Sequence, residues 1–176
     1  DKVFYGFYQN NWDAQVDPFE GYNQMFQLLD LPDLNLIGDT NGTWLFESDN
    51  YQYSFIADNQ LSMELSSNSA GDIFYFTSLS EFFAGTDIYV HKVGSDGSII
   101  WDNPINLTNA IAFDNRVIKA IPNPEEGSIV IYSEQASSSL NYILSIDQDG
   151  NIIDGFPKRI CDVDSNQSIQ DVINVE

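Results

Sequence analysis

The sequence predicts an all-β protein of short antiparallel strands grouped in fours. Three observations carry this. Alternating apolar runs flank tight Asp-Gly turns, as in TDIYVHKVGSDGSIIWDNPINL from Thr86 to Leu107. Gly takes the positive φ that a short hairpin turn needs, so Asp-Gly between apolar runs signals a hairpin. The same unit returns without a gap 53 residues later, from Ser139 to Ile160: Tyr89 falls on Tyr142, Asp96-Gly97 on Asp149-Gly150, Ile99-Ile100 on Ile152-Ile153 and Pro104 on Pro157. Finally, no stretch carries the 3.6 period of an amphipathic helix.

In chain order, KVFYGFY (Lys2 to Tyr8) is a strand, and residues 9–21 form a polar loop with Trp12 and Phe19. A strand from Asn23 to Leu29, a turn at Pro32-Asp33 and a short strand from Leu34 to Ile37 follow. Residues 38–58 are less regular and are expected to hold an extra hairpin or a crossover. QLSMEL (60–65) alternates, SSNSAG turns, and DIFYFT (72–77) has strong β character. The loop SLSEFFAG leads into the hairpin described first. DNRVIKAI (114–121), the turn PNPEEG and SIVIYS (128–133) match the preceding strand pair at a spacing of 56, with Gly71 on Gly127 and Ile73 on Ile129. Phe4-Tyr5 is placed like Phe74-Tyr75.

Each unit thus reads as four antiparallel strands, A to D. Residues 1–58 are a divergent, incomplete unit with a long connection, 59–113 a second, 114–161 a third, and QSIQDVINV within 162–176 the first strand of another. Four-stranded units at this period are blades of a β-propeller. DIYVHKVGSDGSIIWDNPI resembles the quinoprotein-like (PQQ-like) and WD40-like repeat, whose C strand ends at an Asp-Gly turn and whose D strand carries Trp. DQDGNIIDGFP resembles related blades of secreted bacterial surface proteins. The resemblance covers residues 59–160 well and 1–58 loosely. It is specific for fold and unspecific for activity. About three blades are present, fewer than closure usually takes, so the chain is expected to be an arc of a larger propeller.

The formal charge is −21, from 27 Asp plus Glu against 6 Lys plus Arg. Such a surface repels phosphate backbones and anionic lipid, which excludes nucleic acid and suits cations, basic protein patches or neutral glycans. It equally keeps an aromatic-rich chain soluble. A single cysteine, Cys161, allows no internal disulfide, and a single histidine, His91, leaves little from which to build a nucleophile–base relay. No signal peptide or membrane-spanning run is read, and the start at Asp1 leads to the expectation of a processed, secreted or cell-surface protein without membrane insertion.

A binding site is expected on the loop rim opposite the tight turns. The B–C loops bring Trp12, Asp17, Phe19 and Glu20, then Glu81, Phe82 and Phe83, and the first D–A connection adds Tyr51 and Tyr53. Aromatic rings among carboxylates suit a protein or sugar surface, because rigid rings give contact area at low entropy cost. The same rings could instead tuck under their own loops. Trp101 is expected to pack between units, and His91 to be a sheet histidine sharing a face with Tyr89 and Val93.

No cofactor is expected; calcium is the one metal weighed, on alternating oxygen donors at Asp147-Asp149-Asn151 and at Asp162-Asp164-Asn166. Neither completes a calcium loop, and Asp162 with Asp164 is the better candidate. The expected function is a non-catalytic binding or scaffold module of a larger secreted or cell-surface assembly. The alternatives are a purely structural spacer or a propeller enzyme, either a quinoprotein-type dehydrogenase or a glycosidase. A glycosidase would need two converging carboxylates from among Asp17, Glu20 and Glu81.

Overall fold

The computed structural model describes residues 2–10, 22–31, 33, 35–37, 42–46, 62–81, 85–109, 114–135 and 139–160. These are almost entirely strand and turn. One sheet holds β1 (Lys2–Asn10), β2 (Tyr22–Asp30), β3 (Asn35–Ile37) and β4 (Thr43–Phe46), with β2 pairing antiparallel to the other three.

The second sheet comprises two antiparallel groups. One is β5 (Met63–Ser67), β6 (Ile73–Glu81), β7 (Gly85–Val93) and β8 (Ile105–Asn106). The other is β9 (Asp114–Pro122), β10 (Ser128–Gln135), β11 (Ser139–Ile146) and β12 (Lys158–Arg159). A single parallel bridge, Thr86 to Asp114, joins them.

Side chains alternate across a strand, and each group uses that alternation in the same sense. On one face of the middle group, Phe74, Phe76, Ile88 and Val90 pack against Val117, Ala120, Val130, Tyr132, Leu144 and Ile146 of β9–β11. On its other face, Tyr75 and Val93 meet Phe26 and Leu45, with Phe4 and Met63 at the margin. Phe4 stacks on Phe26 at 5.1 Å and tilts against Tyr75 at 5.9 Å. Burial of each such side chain contributes about 1.5–3 kcal/mol.

The cross-strand partners that point toward the next group correspond. They are Phe4–Leu28 and Gly6–Phe26 in the first group, Phe74–Lys92 and Phe76–Val90 in the second, and Ile129–Ser145 and Ile131–Ile143 in the third. The three groups therefore stack head to tail, the forward face of one on the rear face of the next.

The Asp-Gly turns share one hydrogen-bond pattern. The Gly94 N–H donates to Ser98 O and the Gly97 N–H to Gly94 O; the Asp147 N–H donates to Asn151 O and the Gly150 N–H to Asp147 O. Bridges Val93–Ile99 and Ile146–Ile152 follow. All these pairs lie 53 residues apart.

Three expectations need correction. The strand read as ending at Thr77 continues to Glu81, whose backbone pairs with Gly85, so Glu81 belongs to a strand and not to a loop. The polar SLSE run hid this, because Ser78 is fully buried by bonding to the Ser62 hydroxyl at 2.8 Å and accepting the Val117 N–H at 3.1 Å. The expected fourth strands at Ile99–Trp101 and Ile152–Ile153 reduce to single bridges, and the paired residues come later, at Ile105–Asn106 and Lys158–Arg159.

The first strand pair of the two later groups is offset by 55 residues, not 56. Ser67–Ile73 corresponds to Pro122–Ser128, and the turn bond from Gly71 to Asn68 corresponds to that from Glu126 to Asn123. An irregularity in the pairing of β9 with β10 at Ile131/Tyr132 leaves Ile118 unpaired.

Candidate functional site

The sheets have a turn end, where the Asp-Gly turns lie, and a hairpin end, where β6 meets β7 and β10 meets β11. Side chains at the turn end hold the groups to each other. A Cβ at Gly97 would just touch Leu28 and Ile37 of the first group, and one at Gly150 would collide with Trp101 and Ile105 of the second. Each turn thus seats on the preceding sheet.

Lys92, 7% exposed, projects from the middle group into this junction. Its Nζ donates to Gln148 O at 3.0 Å and pairs with Asp72 at 3.4 Å, over the rings of Phe74 and Trp101. Trp101 itself meets Phe74 edge-on at 6.0 Å and packs between the two groups.

Three more contacts cross the same interface. The Ser66 and Ser128 hydroxyls lie 2.6 Å apart. Ser69 donates its N–H and its hydroxyl to the two carboxylate oxygens of Glu126, which lowers the pKa of that exposed acid. Lys119 pairs with Glu64 at 2.7 Å. Polar groups are satisfied across the junction and not left for a ligand.

At the hairpin end a polar network surrounds Asp87, which is buried on β7. Its two carboxylate oxygens accept from Asn106 Nδ2 at 2.9 Å and from the Thr108 hydroxyl at 2.8 Å. Asn106 also donates to the Tyr89 hydroxyl at 3.2 Å, and its Oδ1 accepts the N–H groups of Thr108 and Asn109. Ile88 donates its N–H to the Thr108 hydroxyl at 3.0 Å. The chemistry available here is positional: a carboxylate fixes the 106–109 loop against the central strand.

His91 is fully buried on the same face of β7 as Tyr89 and Val93, with its ring 6.4 Å from that of Tyr75. Burial pushes its pKa down to about 4, so it is neutral near pH 7. The phenol of Tyr132 is raised to about 12 by burial, then by Glu134 and Tyr142, and stacks on Tyr142 at 5.3 Å. These are interior groups of the stack.

Asp147, the first of three donors in a calcium-like spacing, is occupied by its own turn. Its Oδ1 accepts the N–H groups of Asp149 and Asn151, each at 2.9 Å, and its Oδ2 accepts Asn151 Nδ2 at 3.0 Å. Burial alone would raise this carboxyl, and the hydrogen bonds outweigh it to hold the pKa below the usual value. Among the described residues no three His, Cys, Asp or Glu side chains are grouped to hold a metal ion.

Of the expected rim, Trp12, Asp17, Phe19, Glu20, Tyr51, Tyr53, Phe82 and Phe83 lie outside the described residues, as do Asp162 and Asp164. Glu81 is placed by its backbone at the tip of the β6–β7 hairpin, next to the Asp87 network in sequence and space. The inter-group contacts made by Lys92 and Ser128 were not foreseen; a Lys within an apolar strand run was the available signal.

A groove of about 470 Å³ opens between the first sheet and the middle group at the turn end, lined by Phe4, Leu28, Leu65, Ile73 and Ser95 among others. No described helix is long and apolar enough to cross a membrane. Comparison with protein-family models, with curated proteins and with solved structures found no match.

Proposed function

We propose that the chain is part of a β-propeller and acts as a non-catalytic binding or scaffold module of a larger secreted or cell-surface assembly, with a protein or a neutral glycan as ligand. One observation supports this above others: the sheets stack head to tail through corresponding faces, each Asp-Gly turn seating on the sheet before it. Radial repetition of small antiparallel sheets is how propellers limit open edges. In that arrangement the turn end is spent on holding blades together, so the hairpin end is the surface left for a partner.

The aromatic and acidic residues Trp12, Asp17, Phe19, Glu20, Tyr51, Tyr53, Glu81, Phe82 and Phe83 would supply that surface. Rings give it area, and carboxylates favour sugar hydroxyls or basic side chains. The net charge of −21 fits this partner class and opposes nucleic acid.

The test is a neutral-glycan array probed with the chain and with the double variant Phe82→Ala/Phe83→Ala. Retention of a subset of glycans, weakened at least tenfold in the double variant at unchanged melting temperature, is the expected result. Loss of cooperative unfolding in the variant would make these rings core and remove the rim site. Release of free sugar from a retained glycan would replace a binding module with an enzyme. Retention of no glycan would remove the sugar-binding half of the proposal.

A further inference from the structure

Asp-Gly occurs three times in the sequence, and the fold uses the third pair differently from the first two. Gly97 and Gly150 are each the fourth residue of a turn. Their N–H groups close it, donating to Gly94 O at 2.9 Å and to Asp147 O at 3.2 Å. Gly155 stands third in its turn, which the Phe156 N–H closes on Ile153 O at 3.2 Å. The N–H of a third turn residue takes no part in the closing bond. Among the described residues the Gly155 N–H has no hydrogen-bond partner.

The carboxylates differ in the same sense. Asp96 accepts the Ser98 N–H at 2.9 Å and the Ser98 hydroxyl at 2.6 Å. Asp154 is exposed and accepts no hydrogen bond among the described residues. Packing adds a second contrast. Gly150 is buried against Trp101, whereas Gly155 is exposed with nothing within 4 Å of an added Cβ. No packed neighbour opposes the rotation that carries the Gly155 nitrogen onto the Asp154 carboxyl carbon.

We infer that Asp154-Gly155 is a site of spontaneous aspartate isomerisation, and that the modification loosens β12. The Gly155 nitrogen attacks Cγ of the protonated Asp154 side chain. An N–Cγ bond forms, the amide proton and the carboxyl hydroxyl leave as water, and a cyclic succinimide results. Water then adds at one of the two ring carbonyls. Cleavage of the N–Cγ bond restores aspartate. Cleavage of the original peptide bond leaves isoaspartate, whose chain runs through Cβ and Cγ and is one backbone atom longer.

That atom enters just ahead of β12. Phe156 packs against Ile129 and Ile143, with Lys158 5.0 Å over its ring. Lys158 and Arg159 pair with Ile143 and Tyr142, and those two pairs are all that hold β12 to β11. So short a strand has little with which to resist a lengthened lead-in.

The test is storage of the folded chain near pH 6, where ordinary carboxyls keep a small protonated fraction, followed by peptide mapping. Isoaspartate is read as a peptide of unchanged mass and shifted elution that accepts methyl groups from an isoaspartyl methyltransferase. In the folded chain Asp154 should convert about tenfold faster than Asp96 or Asp149, which must first break a turn hydrogen bond. In urea the three rates should converge. Asp154→Glu should abolish the signal at 154 at unchanged melting temperature. Deamidation at Asn41-Gly42, where Asn41 lies outside the described residues, is told apart by its gain in mass.

Equal rates at the three pairs in the folded chain overturn the site. A preference that persists in urea also overturns it, because neighbouring sequence and not the turn would then be the cause. The isoaspartate form, separated by anion exchange, should show faster hydrogen exchange over residues 156–160, with Phe76 and Val130 unchanged. Equal exchange over 156–160 overturns the loosening of β12.

Discussion

Gly150 is held so close to Trp101 that a Cβ at position 150 would lie 2.9 Å from the indole Cη2, and it would also collide with Ile105. Gly150 has φ +84, a conformation that L side chains rarely adopt. Turn geometry and inter-sheet packing therefore demand the same residue. Gly155 has φ +86 but nothing within 4 Å of an added Cβ.

The pair of glycines gives the first prediction. Gly155→Ala should cost about 1–2 kcal/mol, the backbone strain alone. Gly150→Ala should cost about 2–4 kcal/mol, because the collision with a packed ring adds to that strain. Urea midpoints of the two variants measure the difference, and equal losses would mean the turn does not seat on Trp101.

Lys92 is the second. Lys92→Met keeps the stem but removes the cation beside Asp72 and the donor to the Gln148 carbonyl. Unfolding free energy should fall by about 2 kcal/mol. A double-mutant cycle with Asp72→Asn then separates the ion pair from the bond to Gln148.

The chain's one histidine gives a pH dependence. His91 has a folded pKa near 4 against 6.5 for the free side chain, so folding favours its neutral form. Its contribution is complete above pH 6.5 and is lost as the pH falls toward 4, amounting to about 3 kcal/mol. Between pH 7.5 and 4 the wild-type urea midpoint should fall relative to that of His91→Leu, which lacks the titrating group. Parallel curves would place the histidine in contact with water.

At the hairpin end, Asp87→Ala removes the acceptor for Asn106 and Thr108. A loss of about 2 kcal/mol is expected. Amide exchange of Thr108 and Asn109 should accelerate more than that of Phe76 or Val130, since only the loop is anchored by the carboxylate.

The long strands and the two Asp-Gly turns were legible in the sequence because alternation and a turn glycine are local signals, whereas the short strands β4, β8 and β12 were not. Register across the first strand pair was not. Matching Gly71 with Gly127 treated them as equivalent, yet they are glycines for different reasons. Gly71 has φ +85 in its turn, and in the other turn Glu126 holds the left-handed position at φ +67. Gly127 is instead pressed against the backbone at Ile146 and Asp147, where any Cβ would collide. Identical letters with unlike causes shifted the alignment by one residue. The candidate rim was legible only as composition, since aromatic loop residues carry no periodicity from which their placement follows.

Because each Asp-Gly turn presses on the sheet before it, residues added there would pry neighbouring sheets apart. The connections at 82–84 and 136–138 join strand ends already paired, at Glu81–Gly85 and Gln135–Ser139. Lengthening them would leave every sheet-to-sheet contact described here in place. The turn end is therefore held to one shape by its own packing, whereas the hairpin end tolerates added length.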